Sequence, residues 1–414
     1  MPNQKTSSIS RRSFLKSSVT GLAGAQLLTG TLIHADPEKE KLASSPSPIV
    51  RVLGKTGLKA PIVGMGVMNA DNPELVRKSF ETGIRHFDTA AYYQRGRNEE
   101  MVGTVLKELG GRKEAIIATK IYISPAQRSM PAEQVKEFYL KTTEESLKRL
   151  QTDYIDILYS HNVPDRAWLT HSGVLDALQS LKKAGKTRFI GFSTHENMSP
   201  LIAEAADALP YEVILTTFNY SLADDGSIFK ALQQAAARGI GLIAMKTQCQ
   251  QGWYREGIEA ANKEMYQKYY SGTLINTALL KWALSHPFIA CAIPGFTSFQ
   301  QLEEDFSVAS NLAFNAEEKK FLQDRQIKLA MQSVCQRCRQ CTSQCPNGAD
   351  IAELIRVHMY AAVYNNFLQA RQVLSEIPLD RGLQVCRQCA SCQAECSRRV
   401  RIDRRIAELK TIFA

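Results

Sequence analysis

Outside its extreme N-terminus, this 414-residue chain has no apolar run of about 20 residues, the length a helix needs to cross a bilayer, which argues against a polytopic membrane protein. No acidic residue precedes Asp36, and no cysteine precedes Cys249. The missing cysteine leaves no thiol for an N-terminal lipid anchor. The missing acids leave Lys5, Arg11, Arg12 and Lys16 as an unopposed positive cluster. No Gly-rich string forms a dinucleotide fingerprint between a strand and a helix. Hydrophobic residues nevertheless make up 44% and charged residues 22%, a balance that excludes disorder and predicts a soluble globular protein with a large core.

The positive cluster falls in Ser10-Arg11-Arg12-Ser13-Phe14-Leu15-Lys16, followed by a mildly apolar stretch over 19–33. Paired arginines before a short apolar segment match a bacterial twin-arginine (Tat) export signal, and imply the Tat translocase as a partner and a periplasmic destination. Cleavage is expected after Ala35, although Ile33 is not the small residue preferred two places earlier. An uncleaved membrane anchor is the alternative. Residues 36–48, charged and then Ser/Pro-rich, read as a linker.

From residue 49 a hairpin-like stretch (52–58) leads into short apolar runs that alternate with helical periodicity. The strand expectations are 62–66, 85–88, 115–119, 155–159, 187–191, 213–216, 241–245 and 290–293. Eight alternating units predict an α/β fold, a (β/α)8 TIM barrel over 49–314, better than an open doubly wound sheet. The 247–272 loop, rich in Gln and Tyr and carrying Trp253, lies where barrel sites form. Asn315 with Glu318 reads as a capping box, starting a connecting helix over 315–334.

Cys335-x2-Cys338-x2-Cys341-x3-Cys345-Pro346 recurs as Cys386-x2-Cys389-x2-Cys392-x3-Cys396-Ser397. Four thiolates satisfy one four-iron cube, and in such spacings three ligands on one loop reach one cluster while the fourth binds the other. Zinc is the main alternative, but it has no use for a third close cysteine and a trailing Cys-Pro. Residues 335–414 are therefore read as a small, mainly α-helical ferredoxin-like domain with two [4Fe–4S] clusters. Ser397 departs from the Cys-Pro ending. The spacer shows helical apolar spacing from Ile351 to Leu374.

The net charge of +10 does not imply nucleic acid. The N-terminal cluster carries +4 of it, and each oxidised cluster with its thiolates would add −2. The run Arg398-Arg399-Val400-Arg401 reads as charge compensation or a solvated face. Cys249 and Cys291 read as buried packing.

Asp88 ends the second strand expectation, Lys120 the third, His161 follows the fourth, and Tyr93 lies five residues beyond Asp88. With Phe87-Asp88-Thr89-Ala90-Ala91-Tyr92-Tyr93, Ala118-Thr119-Lys120 and Ser160-His161, the chain resembles the aldo-keto reductase family over about 51–309. The resemblance implies a catalytic set of Asp88, Tyr93, Lys120 and His161, with Tyr93 as general acid and Tyr92 as its rival. A phenol is a poor acid at neutral pH unless its phenolate is stabilised, a role expected of Lys120. It also implies NADP or NAD across the barrel mouth, with Ser193 and Asn219 near the carboxamide. Pro294, Gly295, Thr297, Gln301 and Glu304 would lie near the adenosine end. Thr216 stands where a Gln is common, and Gly295 and Gln301 stand where Lys and Arg often clamp a 2′-phosphate, which weakens the case for NADPH over NADH.

The expectation is an exported oxidoreductase acting on a small carbonyl or alcohol, with the clusters exchanging electrons with a redox partner protein. The rivals are a nucleotide-binding sensor and an electron-transfer subunit with a non-catalytic barrel.

Overall fold

The computed structural model describes residues 47–248 and 274–414. The export segment, most of the linker, Cys249 and the loop beyond Gln248 lie outside the described residues. Pro46–Ala414 forms one compact unit.

Strands β1 (Val50–Val52) and β2 (Lys59–Pro61) pair antiparallel as the expected hairpin. Eight parallel strands follow: β3 (Met65–Gly66), β4 (His86–Asp88), β5 (Ile116–Tyr122), β6 (Ile155–His161), β7 (Thr187–Thr194), β8 (Val213–Thr217), β9 (Gly241–Met245) and β10 (Cys291–Ala292). Each pairs with the next, and a parallel bridge from Val63 to Ala292 closes the ring. Helices follow the strands in alternation. In the first, Pro73–Thr82, the Asn72 side chain accepts from Glu74 N and Gly83, at φ 118°, ends the helix. The (β/α)8 expectation holds. Strand three runs three residues and strand four two residues past the expected end, so Lys120 lies inside β5 and His161 is the last residue of β6.

Side chains alternate across each strand, and the two apolar clusters follow that period. Ile116, Ala118, Ile157, Tyr159, Val213, Leu215 and Ile243 pack inside the barrel, while Ile117, Ile121, Leu158, Ile214 and Leu242 pack against the helices. Lys120 shares the inward face of Ile116 and Ala118, and His161 that of Ile157 and Tyr159. The hairpin supplies Leu53, Leu58 and Ala60 to the inner cluster, closing the end opposite the strands' C-termini. The interior is tight: a Cβ on Gly191 would stand 2.1 Å from Val213 O and 2.8 Å from the Tyr159 ring.

Beyond the barrel the structure differs from the sequence expectation in two places. The connection is two helices, Ala316–Gln323 and Arg325–Gln332, because the Asp324 side chain accepts from Gln326 N and Ile327 N and starts a new helix. The Asn315–Glu318 capping box is present. The spacer between the cysteine motifs is also broken. Helix Ile351–His358 runs into a π turn (Met359–Val363), and Asn366 then caps helix Phe367–Glu376 after Asn365 at φ 51°. These helices and Ile402–Ile412 bury an apolar cluster separate from the barrel's, with Val357, Ala370, Val373 and Leu409 at its centre.

Candidate active site

Alternation brings three inward side chains to the C-terminal rim of the barrel. Asp88 ends β4, and register pairs Asp88 with Ala118 and Tyr122 with His161. The Lys120 ammonium donates to Asp88 Oδ1 at 2.5 Å and to Thr89 O at 2.6 Å, and lies 3.5 Å from the Tyr93 hydroxyl. Tyr93 opens a tight turn, Tyr93–Gly96, in which Gln94 and Arg95 are both left-handed. Its ring meets His161 edge-on, with centroids 5.6 Å apart. The four expected catalytic residues are thus gathered at one point.

Burial raises the Asp88 carboxyl and lowers the Lys120 ammonium, and their mutual contact opposes both shifts. His161 is held well below the usual imidazole range by burial and by the charges of Lys120 and Arg356, so it is neutral at physiological pH. Tyr93 departs from expectation: burial and the Asp88 charge push its phenol well above the usual value. The sequence reading had Lys120 lowering it. In this structure the ammonium is committed to Asp88 and Thr89 O, both closer than the phenol.

Tyr92 is physically separated from this role. Its hydroxyl donates to Glu376 Oε1 at 2.5 Å, and that of Tyr122 donates to Glu376 Oε2 at 3.0 Å. Glu376 belongs to the C-terminal helices, which roof the barrel mouth and enclose a cavity of about 320 Å³. Asp88, Tyr93 and His161 lie on its barrel side, Arg356, Tyr360 and Tyr364 on its roof. Arg337 donates to Asn162 Oδ1 (3.1 Å) and Asn366 to Asn69 Oδ1 (2.9 Å), tying roof to barrel.

Of the residues expected to hold nucleotide, Pro294, Gly295, Thr297 and Gln301 line this cavity. Gln301 Oε1 accepts from Thr297 N at 2.8 Å, bracing the loop. Ser193, Asn219 and Glu304 do not line it. Ser193 Oγ accepts from Asn162 N, and Asn219 Nδ2 donates to Lys246 O. Gln300 donates to Glu304. Thr216 takes the outward parity of Ile214, toward the helices. Sequence reasoning missed Arg356, Glu376 and the cavity-facing role of Lys246. Lys246 is half-buried, held at φ 55°, and its ammonium is pushed down to about 7 by loss of solvent and by Arg337 and Arg356. Nothing in the cysteine spacing signals that the segment carrying Arg356 folds over the barrel.

The eight cysteines of the repeated motif lie in that roof. Cys335 and Cys341 each have Cys396 as a charge neighbour, whereas Cys386 and Cys392 each have Cys345. The fourth cysteine of each motif therefore lies near two of the other motif's first three. Backbone N–H groups of Ala349 and Arg398 donate to Cys345 and Cys396 sulfurs at 3.3 Å, and Asn347 donates to Cys389 at 3.1 Å. Among the described residues, no group of three or more His, Cys, Asp or Glu is arranged for a single metal ion. Cys335 also stands in the cavity wall.

The fold agrees with comparisons to known proteins. Residues 63–324 match the aldo/keto reductase family. The chain is 32% identical to L-galactose dehydrogenase of Arabidopsis thaliana over 64% of its own length and 88% of the relative's. It is 27% identical to L-glyceraldehyde 3-phosphate reductase of Escherichia coli O157:H7, over 65% and 89%. An aldo/keto reductase from Klebsiella pneumoniae, solved with NADP and acetate, superposes with a TM-score of 0.53 at 23% identity, covering 67% of this chain and 95% of that one. The family match ends before the cysteine-bearing roof begins. The chain belongs to the aldo/keto reductase family, a family of NAD(P)-dependent oxidoreductases, and carries some ninety further residues, 325–414, beyond the matched barrel.

Proposed function

We propose that this chain is an exported oxidoreductase that interconverts a carbonyl and an alcohol, using a nicotinamide nucleotide in the barrel and two iron–sulfur clusters in the roof. The carrying observation is the Lys120 ammonium set 2.5 Å from Asp88 and 3.5 Å from the Tyr93 hydroxyl, beside His161, in one cavity.

A nicotinamide nucleotide, when bound, supplies or accepts the hydride. In reduction Tyr93 donates its proton to the carbonyl oxygen, and in oxidation its phenolate takes the alcohol proton. Lys120 stabilises that phenolate, Asp88 fixes and neutralises Lys120, and neutral His161 hydrogen-bonds the reacting oxygen. The cavity suits the nucleotide because it runs from these groups to Gly295, Thr297 and Gln301, and Thr247 Oγ1 in its wall is buried without a partner. NADP stands with the Klebsiella relative, but Gly295 and Gln301 supply no cation for a 2′-phosphate, so the reading is NADP or NAD.

The crossed thiols suit two [4Fe–4S] clusters, one on Cys335, Cys338, Cys341 and Cys396, the other on Cys386, Cys389, Cys392 and Cys345. N–H donors aimed at the sulfurs support the fit. The clusters supply one-electron exchange with a redox partner protein. A second reading gives them a structural role, favoured by Cys386 being buried in the roof's core with Cys341, Cys345, Cys392 and Cys396 packed against it.

Full-length protein purified anaerobically should hold about eight irons per chain and release a nicotinamide nucleotide. Zinc without iron would end the cluster reading. Bound nucleotide with no turnover over a broad carbonyl and alcohol panel would favour the sensor. Residues 1–35 are proposed as the Tat signal, with the nucleotide carried out already bound. Arg11→Lys with Arg12→Lys should then leave precursor in the cytoplasm, and undiminished periplasmic protein would refute the assignment.

A further inference from the structure

The cavity is asymmetric in charge. Lys120 has Asp88, but Lys246, opposite the roof, has no carboxylate partner among the described residues. Its Nζ lies 3.9 Å from Met359 Sδ, three residues beyond Arg356 on the roof helix and π turn. Lys246 is held in the left-handed region, which a non-glycine residue adopts only at a cost in strain, and the Asn219 amide pins its carbonyl at 2.9 Å. Such strain is retained where the surroundings over-determine it.

Arg356 is only partly paired. It holds Glu353 Oε2 at 2.5 Å, while Arg337 and Arg339 share Glu353 Oε1 and also reach Glu196 and, for Arg339, Asp350. Arg356 Nε is buried with no hydrogen-bond partner. Its charge reaches His161, Tyr92 and Tyr122, which places it over the reacting groups. Arg337 also lines the cavity and its Nε is likewise buried without a partner, but it is held by two carboxylates, Glu196 and Glu353, and by Asn162, and its backbone N–H and charge both act on Cys335. Lys246, with no carboxylate among the described residues, and Arg356, with one, are the less neutralised cations of the cavity wall, one from the barrel and one from the roof.

We propose that this pair selects a carbonyl or alcohol substrate bearing an anionic group, a carboxylate or a phosphate, which Lys246 and Arg356 bind while the reacting oxygen lies at Tyr93. The proposal rests on the oxidoreductase reading and adds the substrate class. An anion binding the two by charge-assisted hydrogen bonds gains far more than a neutral isostere, which leaves the Lys246 ammonium and Arg356 Nε without a partner.

The test uses the full-length holoprotein, with its clusters and nucleotide, and a short series of ω-oxo carboxylates against their methyl esters. Wild-type kcat/KM should favour the acids by about 10- to 100-fold, and Lys246→Met and Arg356→Met should each reduce that ratio by about tenfold or more. Arg356→Lys keeps a charge in place should the Met variant fail to fold, and should retain part of the ratio. Calorimetric binding of succinate against succinamide to the nucleotide-loaded protein gives a readout without turnover. Succinate binding that disappears in Lys246→Met upholds the anion site even if no substrate reacts. Turnover with no preference for acids, and no succinate binding, would overturn it while leaving the oxidoreductase reading intact.

Two other sources of anion are separated by the same variants. If the pair holds the nucleotide's own phosphates, nucleotide affinity falls and acids and esters lose activity equally, which overturns the proposal. If it compensates the cluster on Cys335, iron content or cluster potential changes while the ratio stands, which overturns it as well.

Discussion

The two walls of the active-site cavity are built differently. On the barrel side, Asp88, Lys120 and His161 each come from a separate strand of a closed sheet, aimed by period-two alternation, and the charged pair is matched at 2.5 Å. On the roof side, Arg356, Tyr360 and Glu376 come from segments beyond the family match, and Arg337, Arg339 and Arg356 share Glu196, Asp350 and Glu353 in one network in place of a single matched pair. The roof has its own apolar core and meets the barrel mouth through named polar contacts, Glu376 with Tyr92 and Tyr122, Arg337 with Asn162, and Asn366 with Asn69. On the proposed function, the proton-handling groups sit on the strand scaffold, while selection and access fall to the added segment. If that division is correct, substitutions on the two walls should differ in kind.

The sharpest contrast is Tyr93→Phe against Tyr92→Phe. Neighbours in sequence, the two phenols face different walls: Tyr93 lies by Lys120 and Tyr92 is held by Glu376. Loss of the Tyr93 hydroxyl should cut carbonyl reduction by about 10² or more with nucleotide binding kept, as expected for losing a positioned proton donor. Tyr92→Phe should act mainly through KM. Equal losses of kcat would erase the distinction. Because burial and Asp88 raise the Tyr93 phenol, reduction should hold its rate from pH 6 to 9 while alcohol oxidation climbs with pH.

The barrel wall should also be the acid-sensitive one. Both ring nitrogens of His86 are buried without partners, and burial with the Lys120 charge pushes its pKa down to about 3. The unfolded chain binds a proton there near pH 6.5 and the folded one does not, so stability is full above 6.5 and falls as pH drops toward 3. The slope is about 1.4 kcal/mol per pH unit, or about 2 kcal/mol between pH 6.5 and 5. His86→Met should remove that share, measured by urea titration at both pH values. An unchanged acid dependence would place the sensitivity elsewhere.

The sequence was most readable where a period repeats. Eight strand–helix units predicted the ring, with Lys120 and His161 displaced only because β5 and β6 run further than their apolar runs. The Asn315–Glu318 box was readable because capping is local, whereas the break at Asp324 was not, since an aspartate can sit in a helix as well as begin one. The roof was readable as helical but not as a roof. Arg356 looks like an ordinary polar residue on an amphipathic helix, and its position over His161 arises only from packing between segments about two hundred residues apart.

A smaller effect is expected at the contact joining the walls. Glu376→Gln keeps the shape but removes the charge from two tyrosine hydroxyl contacts, a loss of about 1 kcal/mol net. Hydrogen exchange in helix Phe367–Glu376 should quicken and KM rise a few-fold with kcat nearly unchanged. A fall in kcat with KM unchanged would mean that Glu376 acts on the chemistry and that the walls are not separable as argued.

The smallest expected change, a factor of two, tests the order within the roof itself. If the fourth thiol of each motif crosses over, Cys396→Ala belongs functionally with Cys335 and Cys341, although it lies in the second motif. Cys345→Ala likewise belongs with Cys386 and Cys392. Each variant should lower iron from about eight to about four per chain, and the paramagnetic signal lost in Cys396→Ala should be the one lost in Cys338→Ala. Among the described residues Cys335 is the one cysteine of the eight that lines the cavity, so loss of a cluster held there should disturb carbonyl turnover more than the loss caused by Cys345→Ala. The barrel core contains none of these eight cysteines, so its folding should survive either change. Matching signals for Cys345→Ala and Cys338→Ala would instead mean that each motif closes on its own cluster, and the crossing inferred from the charge neighbours would be wrong.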